Sequence, residues 1–138
     1  MTEPATAIEG GCLCGAIRYR AASATEIPAF CHCRTCRMAS AAPVVAWITV
    51  ARDAFAFTKG QPRSYRSSEH VVRTFCPTCG TPLTYANDEY PAALDVTTTS
   101  LDEPERFPPR DHVWTSHAIP WLRLGDALPR HAKFRPKT

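Results

Sequence analysis

Apolar and charged residues alternate over residues 16–20, Ala-Ile-Arg-Tyr-Arg, and strict alternation sends one set to each face of a strand. The segment before it, Gly-Gly-Cys-Leu-Cys-Gly at residues 10–15, reads as a turn-rich opening. Residues 28–33 are extended in pattern, and residues 34–39, Arg-Thr-Cys-Arg-Met-Ala, suit a short helix. Residues 44–50, Val-Val-Ala-Trp-Ile-Thr-Val, are rich in β-branched side chains and predict a strand. Three further strands are expected at residues 55–58, 63–67 and 71–75, separated by Lys-Gly-Gln-Pro and Ser-Glu-His, which together suggest an antiparallel meander. Strands are also expected at residues 83–85, 94–97 and 112–115, with a proline-rich loop between Pro104 and Pro109. The class is therefore mainly β.

The chain has 138 residues, the size of one ordinary domain, and its 13 prolines limit uninterrupted helix because each removes a backbone donor and fixes one dihedral. A short, mobile N-terminus is expected over residues 1–7, a single domain over residues 8–129 and a C-terminal tail over residues 130–138. Residues 1–9 lack the basic start and apolar run of a signal peptide, and no window reaches the length of a membrane span. The expected setting is the cytoplasm, without a membrane partner.

Lysine and arginine exceed aspartate and glutamate by three, with no basic run that would track phosphates, so nucleic-acid binding gains no support. Trp47, Trp114 and Trp121, with Phe55, Phe57 and Tyr65, are expected to be core and sheet-face residues rather than a base-stacking platform. The lone carboxylates Glu69, Asp95 and Asp111 sit at loop edges, where solvated side chains are expected.

The seven cysteines fall into three clusters: Cys12 and Cys14; Cys31, Cys33 and Cys36; Cys76 and Cys79. An odd number rules out complete internal disulfide pairing, and a reducing compartment disfavours it further. Residues at i and i+2 of an extended segment share a face, so Cys12 with Cys14, and Cys31 with Cys33, each aim two sulfurs at one point while His32 points away. Cys33-Arg-Thr-Cys36 and Cys76-Pro-Thr-Cys79 suit the knuckle turn that brings two thiolates to one metal, and Gly80 supplies the positive φ such a turn uses. Two partitions are open on spacing alone. One joins Cys12, Cys14, Cys76 and Cys79 and leaves a trio; the other joins the two Cys-x-x-Cys units as a zinc ribbon.

The motifs at residues 10–19, 31–37 and 75–80, in this order and spacing, resemble the glutathione-dependent formaldehyde-activating enzyme family, which includes centromere protein V. Asp111-His-Val-Trp114 and Ile119-Pro-Trp-Leu122, followed by Leu128-Pro129, are similar to that family's C-terminal end. The resemblance implies coiled antiparallel sheets stapled by zinc, related to the methionine sulfoxide reductase B-type architecture. It also implies two zinc ions: a structural one on Cys12, Cys14, Cys76 and Cys79, and a second on Cys31, Cys33 and Cys36. Two divalent ions set against seven thiolates cancel the formal excess of three positive charges.

Four thiolates fill a zinc ion, whereas three leave a position for a substrate thiolate or carbonyl oxygen. The resemblance accordingly implies a carbon-sulfur lyase in which glutathione adds reversibly to formaldehyde to give S-hydroxymethylglutathione. Arg34 and Arg37, beside the ligands, are candidates for binding the thiol's carboxylates. His70, His112 or His117 is an alternative fourth ligand, which would close the second site as Cys₃His. A non-catalytic thiol carrier and a purely structural two-zinc module are the competing functions. A methionine sulfoxide reductase would need a free catalytic cysteine, whereas the three remaining cysteines are clustered as ligands.

Overall fold

The computed structural model describes residues 7–136 and is mainly β, with one short α-helix and a few single-turn 3-10 helices among the described residues. The expected mobile segment lies, apart from its last residue, outside the described residues. The strands are β1 (Ile8–Gly11), β2 (Arg18–Ala21), β3 (Ala29–Cys31), β4 (Val45–Ala51), β5 (Phe55–Lys59), β6 (Arg63–Ser68), β7 (Val71–Phe75), β8 (Pro82–Asn87), β9 (Ala93–Thr97) and β10 (Asp111–Val113); the helix α1 spans Arg34–Ser40. They form a three-stranded sheet, β1-β2-β5, and a seven-stranded sheet, β10-β3-β4-β9-β8-β7-β6. Pairing is antiparallel except for β10 with β3, which is parallel.

The expected meander is displaced by one strand. β5 leaves to pair with β2 in the small sheet, and the continuous meander is β6-β7-β8-β9. Phe55 and Phe57 explain the departure: both pack on the main core, Phe55 stacks on Tyr19 at 5.4 Å between ring centroids, and Phe57 meets Phe55 edge to face. β1 was not foreseen, because its two glycines read as a turn. Gly10 is required there by contact: a Cβ would collide with the Tyr19 hydroxyl and the Ser100 carbonyl.

Between the sheets lies the main core, built from Ile8, Ile17, Tyr19, Ile48, Val50, Leu83 and Val96, each 1% exposed or less. Burial of such side chains contributes roughly 1.5–3 kcal/mol each. β4 has two apolar faces. Ile48 and Val50 enter the main core, while Val45 and Trp47 join a second cluster with Cys31 and Cys36. A strand covered on both faces reads as a near-continuous apolar run, which is what residues 44–50 display, with Thr49 alone breaking it.

Beyond β10 the chain runs back along it. His112 N–H donates to the Pro129 carbonyl and His131 N–H to the His112 carbonyl, and the Arg135 guanidinium grips both oxygens of Asp111 at 2.7 and 2.8 Å. Asp111 is 2% exposed, so the expectation that it is solvated fails: Arg135 supplies the countercharge that lets it be buried. Asp95 is likewise largely covered and accepts from Thr49 Oγ1 at 2.5 Å. Glu69 stays exposed. Tyr65 is exposed on the face of β6, a sheet-face position as expected, whereas Trp121 is exposed and outside any strand, contrary to its expected place in the core or on a sheet face. Among the described residues no helix is long and apolar enough to cross a membrane.

Candidate metal centres

Cys12 and Cys14 lie on the turn after β1, and Cys76 and Cys79 on the turn between β7 and β8. Their four sulfurs all fall within 4.8 Å of one another. A tetrahedron with arms of about 2.3 Å has edges of about 3.8 Å. The Cys12–Cys14 and Cys14–Cys76 sulfur separations are 3.6 and 3.8 Å, so this donor set fits a tetrahedral soft-metal site.

Backbone amides already point at these sulfurs: Ile17 N–H donates to Cys12 Sγ at 3.2 Å, and Thr78 and Cys79 N–H donate to Cys76 Sγ at 3.3 and 3.4 Å. Gly15 and Gly80 turn the chain back with φ of +81° and +82°. Leu13 N–H donates to Thr81 Oγ1, which lies 3.3 Å from Cys79 Sγ and ties the two turns together. The hydroxyl and N–H of Thr81 hold the Cys79 thiol down at about 5. Cys14 sits at about 11: the Ala16 N–H acts to lower it, but burial and the neighbouring sulfurs outweigh that. Four crowded sulfurs cannot all carry charge unless a cation is shared among them.

The second group is built on one short segment. Cys31 ends β3, Cys33 caps α1 and Cys36 is the buried residue of that helix. A two-turn helix is unstable alone, and here its start is fixed by Cys33 Sγ, which accepts from Cys36 N–H at 3.3 Å. The three sulfurs lie within 4.8 Å of one another, and among the described residues no histidine or carboxylate completes the group. Contact with the sulfurs of Cys31 and Cys36 holds Cys33 down at about 2. Cys31, in contact with Cys33 and Cys36 and buried, is driven far above the ordinary thiol range. This set also fits a soft cation, with one coordination position not supplied by the described residues.

The alternative Cys₃His closure is not formed among the described residues. His32 turns away from the sulfurs, as extended geometry dictates, and its Nε2 meets His112 Nδ1 at 2.8 Å; His112 Nε2 meets the Asp126 carboxylate at 3.0 Å. His117 accepts at Nδ1 from the Arg34 backbone N–H at 3.2 Å, and His70 pairs with Asp88. Arg37 is engaged internally, its Nε donating to the His32 carbonyl at 3.3 Å.

Arg34 borders a groove of about 540 Å³ beside the trio, also lined by Thr35, Met38, Trp47, Tyr65 and Arg73. Arg73 was missed by sequence reasoning. It is 8% exposed, its Nη1 and Nη2 lie 3.7 and 3.6 Å from Cys36 Sγ, and its guanidinium covers the Tyr85 ring. The available signal was its position: Val71, Arg73 and Phe75 share one strand face, and a charge amid apolar neighbours on such a face needs a partner.

Residues 7–117 match the family described as glutathione-dependent formaldehyde-activating enzyme. The chain belongs to that family. The formaldehyde-activating match covers β1 through β10, and so all seven cysteines. A Schizosaccharomyces pombe protein named as an uncharacterized lyase is 35% identical over 78 residues, a stretch covering 56% of this chain and 56% of that one. The chain thus matches little more than half the length of this curated relative. A crystal structure of a Rhodobacter sphaeroides protein shares the fold, with a TM-score of 0.59 and 20% identity over 68% of this chain and 87% of that one.

Proposed function

We propose that this formaldehyde-activating family member is a zinc-dependent carbon-sulfur lyase acting on a thiol adduct, with S-hydroxymethylglutathione as the leading substrate. The domain comprises residues 8–129 and takes two zinc ions. Cys12, Cys14, Cys76 and Cys79 form the closed structural site, and Cys31, Cys33 and Cys36 form the open one. The observation that carries this reading is the trio with no fourth donor among the described residues, set beside a groove bordered by arginine.

Zinc in such a site supplies a Lewis acid with one position for a thiolate or carbonyl oxygen. In the synthetic direction the thiol sulfur bonds to the carbonyl carbon and the carbonyl oxygen gains the proton; the reverse reaction breaks that bond. The part of the chain is to bring the thiol and the aldehyde together, which lowers the entropic cost of their encounter. Of the two arginines beside the ligands, Arg34 borders the groove and is the better placed for a glutathione carboxylate. The Arg37 guanidinium is occupied with the His32 carbonyl. A cytoplasmic setting, where thiols stay reduced, suits this reading.

Exchange spectroscopy by NMR on glutathione and formaldehyde tests it. The two-metal wild type is expected to accelerate formation of the adduct, Cys33→Ser to abolish the acceleration, and Arg34→Ala to weaken glutathione binding. A two-metal protein that binds glutathione without accelerating exchange would make this chain a carrier.

A further inference from the structure

The two cysteine groups differ in what donates to their sulfurs. In the four-cysteine group the donors are neutral, namely the amides of Ile17, Thr78 and Cys79 and the Thr81 hydroxyl. In the trio a guanidinium straddles Cys36 Sγ with both terminal nitrogens. That guanidinium is fixed: Nε donates to Ser67 Oγ at 3.0 Å, Nη2 to Thr35 Oγ1 at 3.4 Å, and Cζ stands 5.0 Å from the Tyr85 ring centroid. Of its five N–H groups four are used, and Nη1 keeps one without a partner among the described residues. Arg73 also lines the groove.

Charge counting gives this a purpose. Three thiolates on a divalent ion leave one negative charge, and a thiolate arriving as fourth donor makes two in a largely buried cluster. A fixed cation on Cys36 returns that load to one. A neutral fourth donor would gain far less from it.

We propose that Arg73 is a positioning residue that makes the trio selective for an anionic thiolate as fourth donor, and that the adjoining groove seats the rest of a carboxylate-bearing thiol. The inference rests on the functional reading above, and deepens it by naming the charge of the ligand and the residue that selects it.

The full chain loaded with Co(II) and titrated with glutathione, then separately with imidazole as a neutral donor, tests this by visible absorbance. Arg73→Gln is expected to lose about tenfold or more in glutathione affinity, the scale of one charge-assisted contact, with imidazole affinity unchanged; Arg73→Lys is expected to recover most of the loss. Equal glutathione affinity in wild type and Arg73→Gln overturns the inference alone. So does a parallel fall for both ligands, which marks a merely structural role. If Arg73→Gln holds only one metal, Arg73→Lys decides: a glutathione-to-imidazole ratio near wild type supports selectivity by charge, and a tenfold fall overturns it. A two-metal wild type that takes neither ligand overturns the functional reading and this inference together.

Discussion

The two cysteine groups use similar knuckles for different ends. Cys12 and Cys14 adjoin β1 of the small sheet, and Cys76 and Cys79 join β7 to β8 of the large one, so a shared metal closes a loop of more than sixty residues and staples the sheets. The trio spans only residues 31–36 and constrains one strand end and one short helix. A cross-link restricts the unfolded chain more as its loop lengthens. On the proposed reading, a metal in the first group would carry the fold, leaving the second group free to offer an open coordination position.

The largest contrast should appear on removing one sulfur from the first group. Structural zinc contributes on the order of 10 kcal/mol, comparable to the whole stability of a domain of this size. Cys76→Ser, at a fully buried sulfur, is expected to abolish cooperative unfolding by circular dichroism. A variant that still melts cooperatively near the wild-type temperature would dissolve the distinction.

The face of the large sheet that carries the trio also holds a half-buried carboxylate. Asp95 is paired across strands with Tyr85, which packs on the trio's cluster, and burial raises its pKa to about 6 from 3.8 despite the Thr49 hydrogen bond. Between those values the folded state holds a proton that the unfolded chain has released, so this group's contribution to stability falls as pH rises, reaching its full cost above pH 6. Asp95→Asn is expected to raise stability by about 2 kcal/mol at pH 7.5 and to change little below pH 4, as read by denaturant melts at both pH values.

Backbone geometry gives a smaller, opposite-signed pair. Gly80 has φ +82° in the first group's knuckle, whereas Ala41, at φ +49°, ends the trio's helix in the conformation that glycine prefers. Gly80→Ala should cost about 1 kcal/mol and Ala41→Gly should gain somewhat less, both measurable by thermal melts. Smallest of all is the effect of Cys33→Ser on the fold. Serine is itself a good helix cap, and a stability change below about 1 kcal/mol is expected.

Most strands and the helix were legible because their patterning is local: residues 71–75 form β7 as anticipated, and β6 and β9 differ by a residue at one end. The membership of β5 was not legible, since a strand's partner is set by distant contacts such as Phe55 with Tyr19. The end of the 112–115 segment was also misread, because Trp114 adopts φ +56° and breaks the strand into a tight turn. At the site, the cysteine spacing displayed the three clusters but not which ones meet in space. The contacts of Arg73 and of the His32-His112-Asp126 chain join residues 14 to 80 positions apart, so the apolar face that marks Arg73 as needing a partner does not say which residue it meets.

The most direct test of the division between the groups is zinc content combined with glutathione titration, on wild type and Cys33→Ser purified without chelator. Two zinc ions and glutathione binding are expected in the wild type, against one zinc ion, no binding and an intact fold in the variant. One zinc ion in the wild type, or two that are indifferent to glutathione, would contradict it and leave a structural module in place of an enzyme.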